Sequence, residues 1–348
     1  MLIIREVTTN DLDALWELIG RANAGMTSLK INKEQLSDRI ERSEFAFRRS
    51  TDRVEGAPYV LVMQDIETGR LAGTSCIFSK TGGFEPLYAY RIVTEKNHCE
   101  LLDQTHEIST LHLTKTHNGP TEIGSLFLLP EYRGMGSGKL LSLSRFMYIA
   151  ANPKRFASQT IAEMRGYINE NGVSPFWNAI GSHFFKIDFP RADSLSMIDK
   201  QFIEDLMPRH PIYLDLLPRD SVAAIGRVHD QTKPALAMLE AQGFVRTDQI
   251  DIFDGGPVVQ CATQSILAVK ATKEYSVGDA NYDELSRSLD NNHYAGTAIV
   301  ATRSRPFIAV QCNVSIDGDM VAMDGRVQKT LNLCIGEPVL VLKQQTSV

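Results

Sequence analysis

Residues 122–141 read Glu122-Ile-Gly-Ser-Leu-Phe-Leu-Leu-Pro-Glu-Tyr-Arg133-Gly134-Met-Gly136-Ser-Gly138-Lys-Leu-Leu141. An apolar strand pattern runs up to Pro130, which marks its exit. Three alternate glycines follow, and a helix pattern begins near Gly138. Glycines at this spacing let the backbone approach a ligand closely and adopt positive φ where the turn needs it. The first-turn N–H groups of the helix have no intrahelical partner and lie at the positive end of its dipole. Strand, loop and helix together make an anion cradle suited to a pyrophosphate.

The common owners of such a loop can be tested by letter. A Walker A loop requires Gly, four residues, then Gly-Lys-Ser/Thr. With Gly138-Lys139 in register, Arg133 stands where the first Gly belongs and Leu140 where the Ser/Thr belongs. A dinucleotide fingerprint requires Gly-x-Gly-x-x-Gly; from Gly134 or Gly136 its third glycine falls on Lys139 or Leu141. What remains, Arg-Gly-x-Gly-x-Gly after a strand, resembles the pyrophosphate loop of the acyl-CoA N-acyltransferase (GNAT) superfamily. That resemblance implies that Arg133, Gly134, Gly136 and Gly138 hold the phosphates of an acyl-CoA while the strand edge holds the thioester and pantetheine arm. The alternative for Arg133 is a solvated turn arginine.

The 348 residues suffice for two domains and a substantial core. A net charge of −6 argues against a nucleic-acid partner, which calls for a basic face. Five widely spread cysteines without a Cys-x-x-Cys argue against a disulfide framework or zinc site, so a reducing cytoplasm is expected and no metal. No apolar run reaches membrane-span length, and Met1–Val7 reads as a strand rather than a signal peptide, so no membrane association is expected.

Outward from the loop, Leu2–Val7 predicts a strand, followed by a helix with Leu12, Leu15, Trp16 and Ile19 on one face. Ile31–Arg49 predicts a charged, solvent-facing helix with Leu36, Ile40 and Phe47 turned inward. Tyr59–Asp65 and Leu71–Ser79 form a hairpin pattern, and strand-like pieces occur at Tyr88–Val93 and Ser109–Leu113. The helix after the loop puts Leu140, Leu143, Met147 and Ala150 on one face. Beyond it come a strand at Thr160–Gly166, a helix N-capped by Ser174 with Pro175 at its first position and Gly181 at its end, a helical and proline-rich insertion at 189–218, a helix at Pro234–Gln242 and a strand at Gln249–Phe253. Trp16 and Trp177 are expected as core anchors. From Val258, β-type runs at Val258–Ala262, Ser265–Ala271, Gly296–Ala301, Phe307–Asn313, Met320–Ala322 and Pro338–Lys343 alternate with turns, and Tyr275–Asn292 reads as a loop or linker. The expectation is an α+β fold in two parts: residues 1–257 with a GNAT-like mixed, mostly antiparallel sheet flanked by helices, and residues 258–348 as a small β-rich, barrel-like C-terminal domain.

Several strings resemble the arginine N-succinyltransferase family in particular: Gly25-x-Thr27-Ser28-Leu29, Leu143-Ser144-Arg145-Phe146-Met147, Ala162-Glu163-Met164-Arg165-Gly166, Ser174-Pro175-Phe176-Trp177, Leu206-Met207-Pro208-Arg209-His210-Pro211, Ile225-Gly226-x-Val228-His229 and Ile250-Asp251-Ile252-Phe253-Asp254-Gly255-Gly256-Pro257. They cover the chain to about residue 260 in the family's order. The resemblance implies transfer of a succinyl group from the co-substrate succinyl-CoA, with no permanently bound cofactor, to the α-amino group of L-arginine, the first step of arginine catabolism to glutamate and succinate. It makes Leu126 a succinyl-CoA contact and His229 the proton donor, and it implies a homo-oligomer or pairing with a related subunit. The loop departs from the family's Pro-Glu-Trp-Arg-Lys-x-Gly-Asn-Gly toward the generic acetyltransferase form. An acetyl-CoA-dependent enzyme, an ornithine succinyltransferase and a silent acyl-CoA-binding subunit therefore stay open as alternatives.

The chemistry asks for three things. An α-amino group with a pKa of about 8 must lose its proton, the thioester carbonyl must be polarised, and a thiolate of pKa about 8.5 must leave. Glu122, at the start of the strand beside the loop, can act as the base or be an exposed strand-end carboxylate. Glu163 and Arg165 alternate along one strand face and can meet the substrate's guanidinium and carboxylate, or pair with each other. An imidazole at His229, in a Gly/Pro-punctuated loop, is a sensible acid near neutrality; the bland reading is a surface histidine satisfied by backbone. His98, His106, His112 and His117 lack zinc spacing.

Overall fold

The computed structural model describes the chain except residues 23–28, 52, 83–85, 135, 197–199, 280–293 and 345–348. The Gly25–Ser28 part of one quoted string, Met135 and most of the expected 275–292 linker therefore lie outside the described residues. In chain order the elements are β1 (Leu2–Glu6), α1 (Leu12–Gly20), α2 (Lys33–Arg48), β2 (Pro58–Asp65), β3 (Leu71–Phe78), β4 (Leu87–Cys99), β5 (Gln104–Thr116), β6 (Thr121–Leu128), α3 (Ser137–Ala151) and β7 (Gln159–Glu163). The insertion region carries α4 (Pro175–Ala179), α5 (Gly181–Phe185), α6 (Phe189–Leu195), α7 (Gln201–Leu206), β8 (Ile212–Tyr213) and α8 (Arg219–Ala224). Then follow α9 (Lys233–Glu240), β9 (Val245–Ile250), β10 (Pro257–Ala262), α10 (Leu267–Ala271), β11 (Lys273–Val277), β12 (Tyr294–Thr302), β13 (Ile308–Asp317), β14 (Met320–Met323), α11 (Gly325–Leu331) and β15 (Pro338–Lys343).

One sheet runs β1-β2-β3-β6-β7-β10-β9-β4-β5-β8, antiparallel except between β6 and β7. This is the expected mixed, mostly antiparallel sheet flanked by helices. The C-terminal strands close a five-membered ring, β13-β12-β15-β11-β14 and back to β13, which is the expected barrel. The ring joins the sheet directly, because β13 pairs with β1 at Ile3↔Val310. Strand β10, expected to open the C-terminal part, instead runs inside the main sheet between β7 and β9.

Helices α1 and α2 cover one face of the sheet, where Leu15, Leu36 and Ile40 pack on Val60, Val62 and Phe127. Helix α3 covers the other face. Its burial is not confined to one side as the periodicity predicted, since ring residues Ile299, Ala301, Phe307 and Leu342 pack into the same cluster as Leu140, Phe146 and Ile149. A helix walled by two layers has little exposed surface left to pattern.

Other expectations are corrected. Trp16 is 38% exposed, and Leu15, Leu18 and Ile19 are the buried residues of α1. Trp177 is a core residue stacked near Phe185 and Phe253. Gly181 opens α5 instead of ending α4; a Cβ there would lie 2.2 Å from Trp177 Cε3, so glycine seats the indole. Within the β-type run at Ser265–Ala271, the residues from Leu267 are the helix α10, and the stretch between the runs at Met320–Ala322 and Pro338–Lys343 holds the helix α11: both are short and their apolar residues carry no clear period. The strand expected at Gln249–Phe253 is β9, ending at Ile250, and residues 251–254 form a turn. The linker at 275–292 begins as part of β11.

Candidate active site

Strands β6 and β7 pair only at Thr121↔Thr160 and Glu122↔Ile161 and then part, β6 staying with β3 and β7 with β10. Beyond Glu122 the β7-facing edge of β6 has no ladder partner among the described residues. On its other edge a bulge sets Ser125 and Leu126 against Ser75 alone, with Ser125 at φ 51°. A bulge releases one residue from the ladder and re-aims its neighbours. A cavity of about 930 Å³ fills the gap. The parted strands line it with Glu122–Leu126 and Ala162–Arg165, α2 with Arg39, α3 with Arg145, the insertion with Asp193 and Lys200, and the 251–254 turn with its two aspartates.

Carboxylates gather at one end. Burial holds the Glu122 carboxyl above its ordinary range, opposed by the charges of Lys200 and Arg39. Glu163 is raised further, by burial first and then by the nearby charges of Glu122 and Asp251. Like charges in a dry site cannot all ionise together, so the cluster retains protons at pH values where a solvated glutamate has lost them. Asp251 and Asp254 also build the turn. Asp251 Oδ1 accepts from the N–H groups of Phe253 (2.7 Å) and Asp254 (2.8 Å), and Asp254 accepts from Gly166 (2.7 Å) and Gly256 (2.8 Å). Arg165, half-buried, sits within the fields of Asp254 and Asp193, which oppose the lowering of its pKa by burial.

His229 lies beside this cavity. Its N–H donates to Arg165 O (2.9 Å), and the adjacent Val228 bridges Gly166, so the histidine loop is laid against the extension of β7. The N–H of Gln231 donates to His229 Nδ1 (3.2 Å), which fixes Nδ1 as acceptor and puts the proton of the neutral ring on Nε2. Burial, with the charge of Arg165, lowers its pKa.

The glycine loop stands past the end of β6, beyond the residues that line the cavity. Gly134 and Gly136 have φ of 103° and 82°, which demand glycine. Gly136 is the N-cap of α3 and makes no side-chain cap, and the first turn contains no acidic residue; the N–H of Ser137 donates to Gly134 O (3.0 Å), which leaves those of Gly138 and Lys139 for an anion. Gly138 is different: its φ is ordinary, and an added Cβ would meet nothing within 4 Å. Nothing among the described residues requires glycine there. Arg133 is exposed and donates through Nε to Leu128 O (3.2 Å).

The fold thus brings Glu122, Leu126, Glu163 and Arg165 to one cavity with His229 at its edge, and sets Arg133, Gly134, Gly136 and Gly138 at the far end of β6. Sequence reading missed Arg39, Lys200, Asp193 and Asp251 as cavity residues. Arg39 belongs to a helix read as solvent-facing, yet it reaches over the Phe78 ring (5.8 Å) toward Glu122. Asp251 and Asp254 stood inside a quoted string, and the paired aspartates around a Gly-Gly turn were the available signal.

A family model described as arginine N-succinyltransferase beta subunit matches residues 2–268. Arginine N-succinyltransferases of Escherichia coli and Shigella dysenteriae are 40% identical over 310 residues, covering 88% of this chain and 90% of theirs. The structure of arginine/ornithine succinyltransferase subunit AI from Pseudomonas aeruginosa matches with a TM-score of 0.87 and 27% identity over 99% of both chains.

Proposed function

The chain belongs to the arginine N-succinyltransferase family, and from that membership we propose that it transfers the succinyl group of succinyl-CoA to the α-amino group of L-arginine, giving N2-succinyl-L-arginine and CoA. The observation that carries the reading is the acidic end of the cavity, where Glu122, Glu163 and Asp251 face a space large enough for a cationic amino acid.

The pyrophosphate of the donor lies on the first turn of α3 and the Arg133–Gly138 loop, and the pantetheine follows the unpaired edge of β6. The thioester carbonyl accepts from the backbone N–H at Leu126, next to the bulge; one such donor is worth roughly 10²–10³ in rate. L-Arginine enters the acidic end. Its guanidinium pairs with Glu163 and the neighbouring carboxylates, and its carboxylate with Arg165. Glu122 takes the proton of the α-ammonium, a task suited to a carboxyl whose pKa burial has raised. The freed lone pair attacks the thioester carbon, and the tetrahedral intermediate collapses by breaking the C–S bond. The sulfur leaves as a thiolate held by the Nε2–H of His229, and takes up the second proton that the attacking nitrogen sheds on becoming an amide. Relatives described as a beta subunit and as subunit AI support an assembled enzyme, of this chain alone or with a related subunit.

The test is release of free thiol from succinyl-CoA by purified protein in the presence of L-arginine. No release above an arginine-free blank sinks the reading, and faster release with L-ornithine moves the acceptor. Acetyl-CoA in place of succinyl-CoA tests the donor.

A further inference from the structure

Helix α3 turns one charged side chain into its buried stretch. Arg145 is 2% exposed and lines the cavity. Its Nε donates to Ser142 O (3.2 Å), its Nη2 to Ser142 Oγ (2.8 Å), and its guanidinium carbon lies 5.7 Å from the centre of the Phe146 ring. These contacts fix the direction of the guanidinium and leave further N–H donors unspent, since the group has five. None of them brings a negative charge. The one titratable neighbour whose field Arg145 feels is Cys76, a thiol that burial pushes up to about 12 and so keeps neutral. No carboxylate among the described residues forms an ion pair with Arg145. Buried cations are normally paired, because leaving water uncompensated costs several kcal/mol or more. The other cations of the cavity differ: Lys200 acts on Glu122 and Glu163, and Arg39 on Glu122.

Its position narrows what the missing partner is. The chain reverses after β6, so α3 returns along it. Eight helical steps from Ser137 to Arg145 cover ~12 Å, and four strand steps from Leu128 back to Gly124 cover ~13 Å. Arg145 is therefore level with Gly124, and Gly124 is the register partner of Cys76, the residue it feels. Two strand residues, ~7 Å, separate that level from Leu126. This is about the reach of a four-carbon diacid chain and one hydrogen bond, on the side away from the pyrophosphate. We propose that Arg145 binds the terminal carboxylate of the succinyl group and thereby selects the acyl donor. The inference rests on the reading of the gap as an acyl-CoA site. It moves donor choice from the generic glycine loop to the interior of the cavity.

Butyryl-CoA has the same chain length without the carboxylate, so paired donors read the contact. The wild type is expected to favour succinyl-CoA over butyryl-CoA in kcat/KM by about a hundredfold or more, as sites built to bond a polar group reject analogues lacking it. Arg145→Met keeps length and removes charge. It should cost about a hundredfold with succinyl-CoA and less than about threefold with butyryl-CoA, while inhibition by free CoA stays unchanged. An equal loss with both donors assigns Arg145 a structural role and overturns the proposal, as does a wild type indifferent to the carboxylate. If no acyl group is transferred to any amine, the functional reading fails by itself; calorimetric Kd values for the two thioesters then decide the carboxylate site. Should Arg145→Met not fold, Arg145→Lys, which keeps the charge and loses the fork, must raise the KM for succinyl-CoA selectively.

Discussion

In the proposed reaction Glu122 takes the proton of the α-ammonium, and its buried setting makes that role testable by pH. Desolvation raises its pKa, so the ionised base accumulates only as pH climbs above the ordinary carboxyl range of about 4.3. The acid limb of kcat/KM should lie above that value. Glu122→Gln should lower turnover by about 10²–10⁴ and abolish that limb, with the KM for arginine changing far less. A limb unmoved by the substitution, or a variant near wild-type rate, assigns the proton transfer elsewhere. The same raised pKa has a stability consequence with a definite sign. The folded state holds these protons more tightly than the unfolded chain, so the carboxyl pair favours folding at low pH and loses that contribution as pH rises through its folded pKa. His229 is legible as a residue because its string is distinctive; the Nδ1 contact that sets its tautomer depends on the short turn at Asp230–Thr232, which no spacing rule announces.

At the scale of elements, the strand–loop–helix unit was readable because each part has its own chemistry: an apolar run, positive-φ glycines and a helix start without a capping side chain. Gly138 supplies the discriminating experiment. With no internal reason for glycine among the described residues, Gly138→Val should not lower the melting temperature, since valine is the better helix former by less than about 1 kcal/mol. It should raise the KM for succinyl-CoA about tenfold or more by crowding the phosphates, and leave the KM for arginine alone. An unaltered donor KM would remove the loop from the donor site. One capped helix was also legible: Ser174 accepts from the N–H of Trp177 as its sequence context suggests, whereas the cap at Asn32, which accepts from Gln35, falls inside the helix expected from Ile31. What failed were elements whose fate depends on neighbours. The periodicity of α3 pointed to one buried face because the second layer over it comes from residues more than 140 positions away.

Across the whole molecule, the class of fold was readable from the alternation of patterns, whereas the acidic end of the cavity was not. Glu122, Glu163, Asp193 and Asp251 come from four separate segments, and no local pattern links them. The C-terminal ring was legible as β-rich, but its role as a wall for α3 was not. A chain ending at Thr272 loses Ile299, Phe307 and Leu342 from the α3 cluster and the strand beside β1. It should be recovered as insoluble or unfolded protein. A soluble fragment with the full-length melting temperature and activity would instead make the ring a dispensable appendage. Strand β13 explains why dispensability is not expected. It keeps β12 along one edge, and on the other it pairs first with β1 at residues 308–310 and later with β14 at residues 314–317. A single strand therefore belongs to both the catalytic sheet and the ring. For protein engineering this leaves no neutral seam: exchanging tails between relatives would mean cutting through a hydrogen-bonded strand, so a chimera that works must carry β1 and β13 as a matched pair.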